Sequence, residues 1–397
     1  MQYHALALAV NEGDVDLVGL EGAPVHAALT AESRLHTHRL PDRSFRSRAA
    51  GGRRRYVWMS AARATMQAGR LLTTLMRLPK PDVIVVQSPP AAPTFAVSWL
   101  AARLRGARFA IDWHNLSHAI LAVPLGDHHR AVRSLARSEK RWGRRADAHL
   151  TVSNALAEWL RREWGIKAVV LYDRPPTIFA KPALGVANEL WQRLARELNL
   201  GNHRLPIVVC PTSWTPDEDF DLLLEALERA ERTLRGPRKA VDVTSPELAV
   251  LLTGRGHLRE DFEHRLARRD LHCVAARTVW LEPSDYPTLI GMSDVGLCLH
   301  QSASGFDLPM KLADFRGAGV PACAYDYAPV LSEVLSSGHE GVTFRDPGEL
   351  ASVLVAIARA DLAAIPALAQ SRSWLVANPP ERWEEQWVRV AKPLLHA

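Results

Sequence analysis

The stretch DVGLCLHQSASGFDLPMKLADFRGAGVPACAY, residues 294–325, contains the clearest indication of the fold class. Two apolar runs, at 294–300 and 320–325, flank a helical segment that begins near Pro309. Both runs are apolar almost without interruption, which is typical of strands that are buried on both faces of a parallel sheet. The stretch therefore predicts a strand, a loop, a helix and a second strand parallel to the first.

The same alternation of short apolar runs and longer helical segments extends along the whole chain. We therefore expect an α/β protein with two doubly wound parallel-sheet domains. Ligands of such folds bind at the carboxyl ends of the strands, and the cleft that the two domains face is the favoured site. The predicted strands are 15–20, 82–87, 107–112, 148–153, 168–172, 206–210, 248–253, 278–281, 294–300 and 320–325, and the predicted helices of the first half are 53–77, 94–105, 128–145 and 154–164.

A polar stretch containing several prolines marks the junction between the halves. We assign 1–172 to an N-terminal domain, 173–205 to a linker with a helix near 187–198, and 206–380 to a C-terminal domain. The last segment, 381–397, is predicted to be a helix. Its apolar stripe is expected to pack in the core and consists of Trp383, Trp387 and Val390.

The first residues, MQYHALALAVNEG, predict a helix that ends at Gly13. A doubly wound domain normally opens with a strand and a Gly-rich turn instead. We therefore expect the N-terminal domain to lack its first strand and Gly-rich loop. Either the domain is built without them, or the coding start was placed too late.

The composition excludes several classes of protein. With 397 residues, 47 % of them hydrophobic and 23 % charged, the chain is neither disordered nor a disulfide-rich mini-protein. It also exceeds the size at which a single core stops growing. No apolar stretch reaches the roughly 20 residues that span a bilayer. No metal-ligand spacing relates the four cysteines, Cys210, Cys273, Cys298 and Cys323, and three of them lie in apolar runs, so we expect no metal site and no disulfide framework.

The net charge of +6 suits an anionic partner, and lipid, nucleotide and nucleic acid all qualify. We expect no nucleic-acid partner, because the basic residues are scattered and no groove-reading motif is present. One basic run, RSFRSRAAGGRRRYVW at 43–58, contains Tyr56 and Trp58. It is either a solvated loop or a contact for an anionic membrane surface or a lipid diphosphate.

The small-residue loop at 302–305 is the best candidate for binding an anion. Its backbone amides and the start of the following helix favour negative charge. Lys311 lies in the first turn of that helix, and Asp314 follows three residues later on the same face. A lysine for phosphates beside a carboxylate for ribose hydroxyls suits a nucleoside diphosphate. A surface ion pair between the two side chains is the alternative.

The stretch SWTPDEDF, 213–220, has the local signature of a helix start. Thr215 can serve as N-cap, Pro216 suits the first helical position, and Glu218 at the third position completes a capping box. This structural role explains the stretch fully. Three carboxylates make it a poor phosphate site, so a functional role here would involve hydroxyls or a base edge.

Three further motifs follow predicted strands. DWHN, 112–115, offers a proton acceptor and hydroxyl ligands, although a buried histidine satisfied by a neighbouring aspartate is equally consistent. TGRGHLRE, 253–260, has two glycines directly after a strand, which a tight turn with Arg255 in solvent also explains. QSPPAAPT, 87–94, shapes the cleft or merely stiffens a turn.

Taken together, these stretches resemble the chitobiosyldiphosphodolichol β-mannosyltransferase family. The resemblance extends over nearly the whole chain, and the block around 280–315 is its most specific part. The matching stretches are MQYHALALA, QSPPAAPT, GARFAIDWHN, LTVSNAL, GIKAVVLYDRPP, PTSWTPDEDFDLLLEAL, LLTGRGHLRE, WLEPSDYPTLIGMSDVGLCLHQSASGFDLPMKLADF and RWEEQWVRV.

The resemblance implies a GT-B fold and an inverting transfer of mannose from GDP-mannose to a polyprenyl- or dolichyl-diphosphate-linked sugar. We expect no cofactor and no metal, because Lys311 and the 302–305 loop can stabilise the departing phosphates in place of an ion. His114, or failing it Asp112, is the candidate general base. We expect Asn115, Pro89 and Pro90 to contact the acceptor. The residues that the resemblance places at the donor are Thr212, Ser213, Trp214, Gly254, Gly256, Ser304, Gly305, Lys311 and Asp314.

The chain departs from the family pattern at its start. Family members have a strand and a Gly-Arg-Ser-Pro loop ahead of the MQYHA stretch, and the eukaryotic enzymes also have an N-terminal membrane anchor. We therefore expect peripheral contact with the cytosolic face of a membrane. The alternatives are a catalytically impaired subunit that binds a GDP-sugar, and a nucleotide-sugar epimerase, which needs no acceptor.

Overall fold

The structure is a computed structural model that describes residues 1–22, 27–41, 53–201, 203–239, 243, 245–302 and 304–396, without the side chains of residues 27, 28, 53–63 and 362. The chain divides into two compact units. Unit 1 comprises Met1–Tyr172 together with the segment from Glu384 onward, and unit 2 comprises Asp173–Trp383.

Unit 1 contains a two-stranded and a four-stranded sheet, and both are parallel. The four-stranded sheet follows chain order, β3-β4-β5-β6, and the other sheet pairs β1 with β2. The strand β2, LHTHRL, was not expected, because half of its residues are exposed and its apolar pattern is weak. The strands are β1 (Val15–Leu20), β2 (Leu35–Leu40), β3 (Val83–Ser88), β4 (Arg108–Trp113), β5 (Ala148–Thr151) and β6 (Val169–Val170).

Seven helices of unit 1 precede residue 160 in the described part of the chain. The predictions at 53–77 and 94–105 are confirmed residue for residue. The predicted helix at 154–164 ends in a π-helical turn, Leu160–Trp164. The helices are α1 (Gln2–Asn11), α2 (Ala27–Ala31), α3 (Arg53–Arg77), α4 (Thr94–Arg105), α5 (Ser117–Leu125), α6 (Arg130–Gly143) and α7 (Asn154–Trp159).

Unit 2 contains one six-stranded parallel sheet in the order β12-β11-β10-β7-β8-β9. The chain runs outward from β7 to β9 and then crosses back to place β10 on the other side of β7. The loops after β7 and β10 therefore diverge, which creates the crevice where doubly wound folds bind ligands. The strands are β7 (Ile207–Pro211), β8 (Leu248–Thr253), β9 (Val274–Val279), β10 (Val295–Cys298), β11 (Ala322–Tyr325) and β12 (Gly341–Phe344).

Helices cover both faces of this sheet and bury its strands almost completely. Two clusters of buried side chains result, one on each face. The helix in the polar stretch, α8, joins one of them through Leu190, Trp191 and Leu194. The helices are α8 (Leu184–Glu197), α9 (Phe220–Arg235), α10 (Arg259–Leu266), α11 (Asp285–Met292), α12 (Met310–Gly317), α13 (Pro347–Ala358) and α14 (Pro366–Ala377).

One strand of this sheet lies off its predicted position. The prediction placed it at 278–281, whereas β9 pairs with β8 from Val274 to Val279. The small residues at 275–276 and the charged Arg277 hide the strand pattern in the sequence, and only pairing with β8 specifies the register.

The last segment begins in unit 2 and ends in unit 1. Trp383 and Trp387 are both buried and Val390 is half-buried, so the predicted core-packing stripe is confirmed at its two tryptophans. Arg108 of β4 donates to the carbonyls of Leu394 and Leu395 at 3.2 and 2.6 Å. The segment consists of α15 (Trp383–Gln386), a π-helical turn (Trp387–Ala391) and α16 (Lys392–His396).

Among the helices that the structure describes, none combines the length and the apolar character needed to cross a bilayer. The thiols of all four cysteines are free and buried.

Candidate functional site

The loops after β7, β8 and β10 of unit 2 contain the residues predicted to hold a donor. Because the strands are parallel, these loops leave the same edge of the sheet. β7 and β10 are neighbours at the crossover point, and a bridge joins Glu218 to His300 across their loops. The sheet thus gathers three separate sequence motifs at one edge.

Glu218 is the buried centre of this edge. Its Oε2 accepts hydrogen bonds from the backbone N–H groups of Ser213 at 2.9 Å and Trp214 at 3.0 Å, and also from the hydroxyl of Thr212. Its Oε1 accepts from the ammonium group of Lys311 on α12. One carboxylate therefore ties the loop after β7 to the helix after β10.

The predicted capping box at this helix start is wrong. The helix α9 begins at Phe220, and its N-cap is Asp219, whose carboxylate accepts from the N–H of Leu222 at 2.9 Å. Glu218 turns inward instead of capping, because the buried ammonium group and two backbone amides need its carboxylate. The contact with Lys311 is distant in the chain and cannot be inferred from the local sequence.

Lys311 and Asp314 do not form the surface ion pair that was the alternative reading. The Lys311 side chain is 18 % exposed and pairs with Glu218. Asp314 accepts a hydrogen bond from the hydroxyl of Tyr286 at 3.1 Å. Burial raises the pKa of Asp314 to about 7, and the nearby charge of Asp173 adds to the rise.

The loop predicted to cradle an anion uses two of its backbone N–H groups internally. Gly305 donates its N–H to the hydroxyl of Ser302 at 2.8 Å, and Phe306 donates to the hydroxyl of Ser304 at 3.3 Å. The hydroxyl of Ser304 lies 3.2 Å from the carboxylate of Asp307. An anion in this loop would therefore compete with the loop's own hydrogen bonds.

His300 links this loop to the loop after β7. Its Nδ1 lies 3.0 Å from a carboxylate oxygen of Asp217, and its Nε2 lies 3.2 Å from one of Asp307. Burial alone would lower the pKa of His300, but the hydrogen bonds to both carboxylates outweigh it and raise the pKa to about 9. Sequence analysis missed this bridge, since its members come from three separate positions along the chain.

The contacts of His300 with Asp217 and Asp307 predict that the stability of the protein depends on pH. The pKa of His300 is near 6.5 in the unfolded chain and about 9 when folded, so the stabilisation is complete below pH 6.5 and is lost as the pH rises through 9. We expect His300→Gln to abolish this loss. Denaturant titrations of both proteins between pH 6 and 10 measure it. Parallel pH profiles of the wild type and the variant would contradict the assignment.

The two glycines after β8 allow close contact with the loop after β7. A Cβ atom at Gly254, where φ is +133°, would lie 1.8 Å from the carbonyl oxygen of Thr212. One at Gly256 would lie 2.1 Å from the carbonyl oxygen of Ser213. Only glycine fits at these positions, so the two motifs are packed backbone against backbone.

We expect Gly254→Ala to destabilise unit 2 by about 3 kcal/mol or more, because strain at positive φ adds to the clash with Thr212. Gly165→Ala is the control, since Gly165 has φ +66° and ψ +24°, in the left-handed helical region, and a Cβ there would meet nothing within 4 Å. That control should cost only about 1 kcal/mol. Equal losses in chemical denaturation of the two variants would refute the packing argument.

The side chain of Trp214 lies in the core of unit 2, whereas that of Arg255 lies at its surface. The ring of Trp214 is fully buried in the core, 4.9 Å from the ring of Phe220, so only its backbone lies at the edge of the sheet. Arg255 is exposed and stacks on the ring of Trp280, with 3.5 Å between the guanidinium carbon and the ring centroid.

In unit 1, Asp112 lies at the carboxyl end of β4 and is almost completely buried. Its Oδ2 contacts Nε2 of His114 at 2.7 Å and Nε2 of His4 at 3.1 Å. Burial alone would raise the pKa of Asp112, but its interactions with the two histidines outweigh burial and hold the pKa well below the usual range. Asp112 is therefore an ionised acceptor, and both histidines donate to it.

A tryptophan determines the protonation of His4. The indole N–H of Trp387, which can only donate, lies 3.1 Å from Nδ1 of His4. His4 therefore accepts on Nδ1, carries its proton on Nε2 and is neutral. His114 likewise directs Nε2 toward Asp112, and its Nδ1 lies on the other side of the ring. Its side chain is 21 % exposed, against 2 % for Asp112.

The residues predicted to contact an acceptor lie beside this histidine. Ser88, at the end of β3, accepts on its carbonyl oxygen from the N–H groups of His114 at 3.0 Å and Asn115 at 3.3 Å. Pro89 and Pro90 follow it directly in the chain. The basic run at 43–58 lies outside the described residues up to position 52, and the backbone of its remainder begins α3.

Comparisons with known proteins agree with these features. A family model described as a glycosyl transferase 4-like domain matches residues 7–172. The chitobiosyldiphosphodolichol beta-mannosyltransferase of Mus musculus is 34 % identical over 100 % of this chain and 86 % of its own length. The Homo sapiens protein of that name is 33 % identical over 100 % and 89 %. The UDP-glycosyltransferase TURAN of Arabidopsis thaliana is 33 % identical over 100 % and 94 %.

Solved structures show the fold. The Anabaena protein Alr3699/HepE in complex with UDP and glucose has a TM-score of 0.68 at 13 % identity, covering 99 % of this chain and 94 % of that one. A sucrose-phosphate synthase from Thermosynechococcus elongatus has a TM-score of 0.64 at 15 % identity, covering 97 % and 89 %. Both support the expected GT-B fold. The chain is thus a glycosyltransferase and belongs to the chitobiosyldiphosphodolichol beta-mannosyltransferase family.

Proposed function

We propose that the protein transfers mannose from GDP-mannose, with inversion, onto a polyprenyl- or dolichyl-diphosphate-linked sugar at the cytosolic face of a membrane. The family name supports the sugar and the class of acceptor. The observation that carries the proposal is the contact between His114 and the buried carboxylate of Asp112 at the carboxyl end of β4. Unit 1 would bind the acceptor and unit 2 the donor.

The dyad of His114 and Asp112 explains how the acceptor hydroxyl is activated. Inversion requires that hydroxyl to attack the anomeric carbon from the side opposite the leaving diphosphate. Nδ1 of His114 takes the hydroxyl proton, while the ionised Asp112 stabilises the imidazolium that forms. Asp112 is too deeply buried to take that proton itself. Asn115, Pro89 and Pro90 border the same position and would contact the acceptor.

Lys311 would stabilise the departing diphosphate. Its ammonium group has three donors, and Glu218 accepts from one of them, so two can bind phosphate oxygens. The start of α12 adds a favourable dipole at the same place. Thr212, Ser213, Gly254, Gly256, Ser304 and Gly305 belong to the loops that surround this position, and Asp314 would accept from a ribose hydroxyl.

A transfer assay tests the proposal. The full chain is given a detergent-solubilised lipid diphosphate carrying chitobiose, together with GDP-mannose or a UDP-sugar. We expect product from GDP-mannose only, and we expect β-mannosidase but not α-mannosidase to remove the added sugar. Transfer from a UDP-sugar would overturn the donor assignment, since one relative is named a UDP-glycosyltransferase.

Two other outcomes would replace the proposal altogether. Binding of GDP-mannose without transfer to any lipid diphosphate would indicate a binding subunit. Conversion of GDP-mannose to another sugar nucleotide without acceptor would indicate an epimerase.

A further inference from the structure

The helical hairpin formed by α5 and α6 exposes two kinds of side chain. On α5, the side chains of Ile120, Val123 and Leu125 are 43 %, 69 % and 44 % exposed. The helix α6 packs against α5 and follows it after a short turn. Its exposed arginines include Arg130, Arg133 and Arg137.

These three arginines form a continuous basic face. Their spacing of three and four residues puts them on one side of α6, where they line a shallow depression together with Ala136. Within the described part of the chain, none of the three forms an ion pair with a carboxylate. The one carboxylate of α6, Glu139, is fully buried. No carboxylate of α6 therefore neutralises the basic face.

Glu139 also joins the two helices of the hairpin at the end of α5 that follows the candidate catalytic residues. Its carboxylate accepts from the backbone N–H groups of Ser117 at 2.8 Å and His118 at 3.0 Å, at the start of α5. That start lies three residues after His114. The nine residues of α5 span about 13 Å, so the exposed apolar side chains lie within about that distance of the start of α5.

We propose that the α5–α6 hairpin is the surface with which the protein docks on an anionic phospholipid bilayer. Arg130, Arg133 and Arg137 bind the lipid headgroups, and Ile120, Val123 and Leu125 enter the boundary between headgroups and acyl chains. Cations beside exposed apolar side chains are the combination that a membrane interface favours. The inference rests on the proposed function for its purpose, since it holds His114 near a membrane-bound acceptor.

Vesicle binding by the full chain tests the docking surface. The wild type should bind vesicles of phosphatidylcholine mixed with phosphatidylglycerol and should bind pure phosphatidylcholine far less. Arg130→Glu, Arg133→Glu and Arg137→Glu together should weaken binding to the mixed vesicles by at least about 100-fold, because each cation near an anionic surface contributes about a fivefold gain. Undiminished binding by this variant would overturn the proposal.

The matched control changes the same number of charges elsewhere. Arg196, Arg232 and Arg268 are exposed arginines of unit 2, and their replacement by glutamate gives the same net charge. We expect this control to bind vesicles nearly as well as the wild type. An equal loss in the control would show a general charge effect and would overturn the assignment to the hairpin. Binding to RNA but not to vesicles would overturn it as well.

The salt dependence of vesicle binding separates the contribution of the arginines from that of the apolar side chains. Raising the salt concentration should weaken the arginine contribution and leave the apolar one. Ile120→Ser with Val123→Ser should therefore abolish the binding that remains at high salt. The triple glutamate variant of the hairpin should retain transfer onto the detergent-solubilised acceptor, which needs no bilayer. Vesicle binding without any transfer by the wild type would contradict only the proposed function.

Discussion

His114→Ala should lower kcat of the proposed transfer by about 10²- to 10⁴-fold, which is the usual contribution of a general base. The alanine variant keeps Asp112 bonded to His4, so the end of β4 should stay folded. Steady-state kinetics with saturating GDP-mannose and acceptor measure the loss. His203→Ala, at an exposed histidine of unit 2, is the control and should behave as the wild type.

Asp112→Asn distinguishes the two members of the dyad. The asparagine can no longer stabilise an imidazolium, so kcat should also fall, and thermal denaturation should show a folded protein. One pattern of results would exchange the roles of His114 and Asp112. If His114→Ala retained nearly full kcat while Asp112→Asn lost it, Asp112 would be the base.

Lys311→Met should both destabilise the protein and weaken donor binding. It leaves the buried carboxylate of Glu218 without its cation, and breaking a buried ion pair from one side costs about 3–5 kcal/mol. The loss of a charged hydrogen bond to phosphate should weaken GDP binding by about 10- to 100-fold. Chemical denaturation and calorimetric titration with GDP measure the two effects separately.

The double variant Glu218→Gln with Lys311→Met separates the effect on stability from the effect on GDP binding. Neither residue then leaves an unpaired charge, so much of the lost stability should return. GDP affinity should remain low, because the ammonium group is still missing. Recovery of GDP affinity together with stability would mean that Lys311 serves only to hold the loop after β7.

The repeating βα pattern was predictable because buried parallel strands leave a strong signal in the sequence. β7 and β8 are apolar throughout, and the sequence predicts them within one residue. The predictions of β9 and β2 fail for different reasons. Small and charged residues mask β9, and polar residues on a half-exposed strand mask β2. In both cases the pairing partner specifies the strand, and the sequence of one segment does not contain that information.

The candidate site was predictable in its motifs but not in its contacts. Glu218 fits a helix cap by local rules, yet its buried carboxylate bonds to Lys311, 93 residues away in the chain. His300 was read as the end of a strand, although it bridges two aspartates. Ionisable groups that satisfy one another across a fold leave no periodic trace, so spacing arguments could not have paired them.

The return of the last segment to unit 1 has a consequence for biosynthesis. Trp387 donates to His4, and Gln386 donates to the carbonyl oxygen of Tyr172 at 2.6 Å. The ribosome makes these side chains only after all of unit 2 has been translated. The first unit to emerge is therefore the last to be completed, and until then its nascent chain lacks the buried contacts of Trp387.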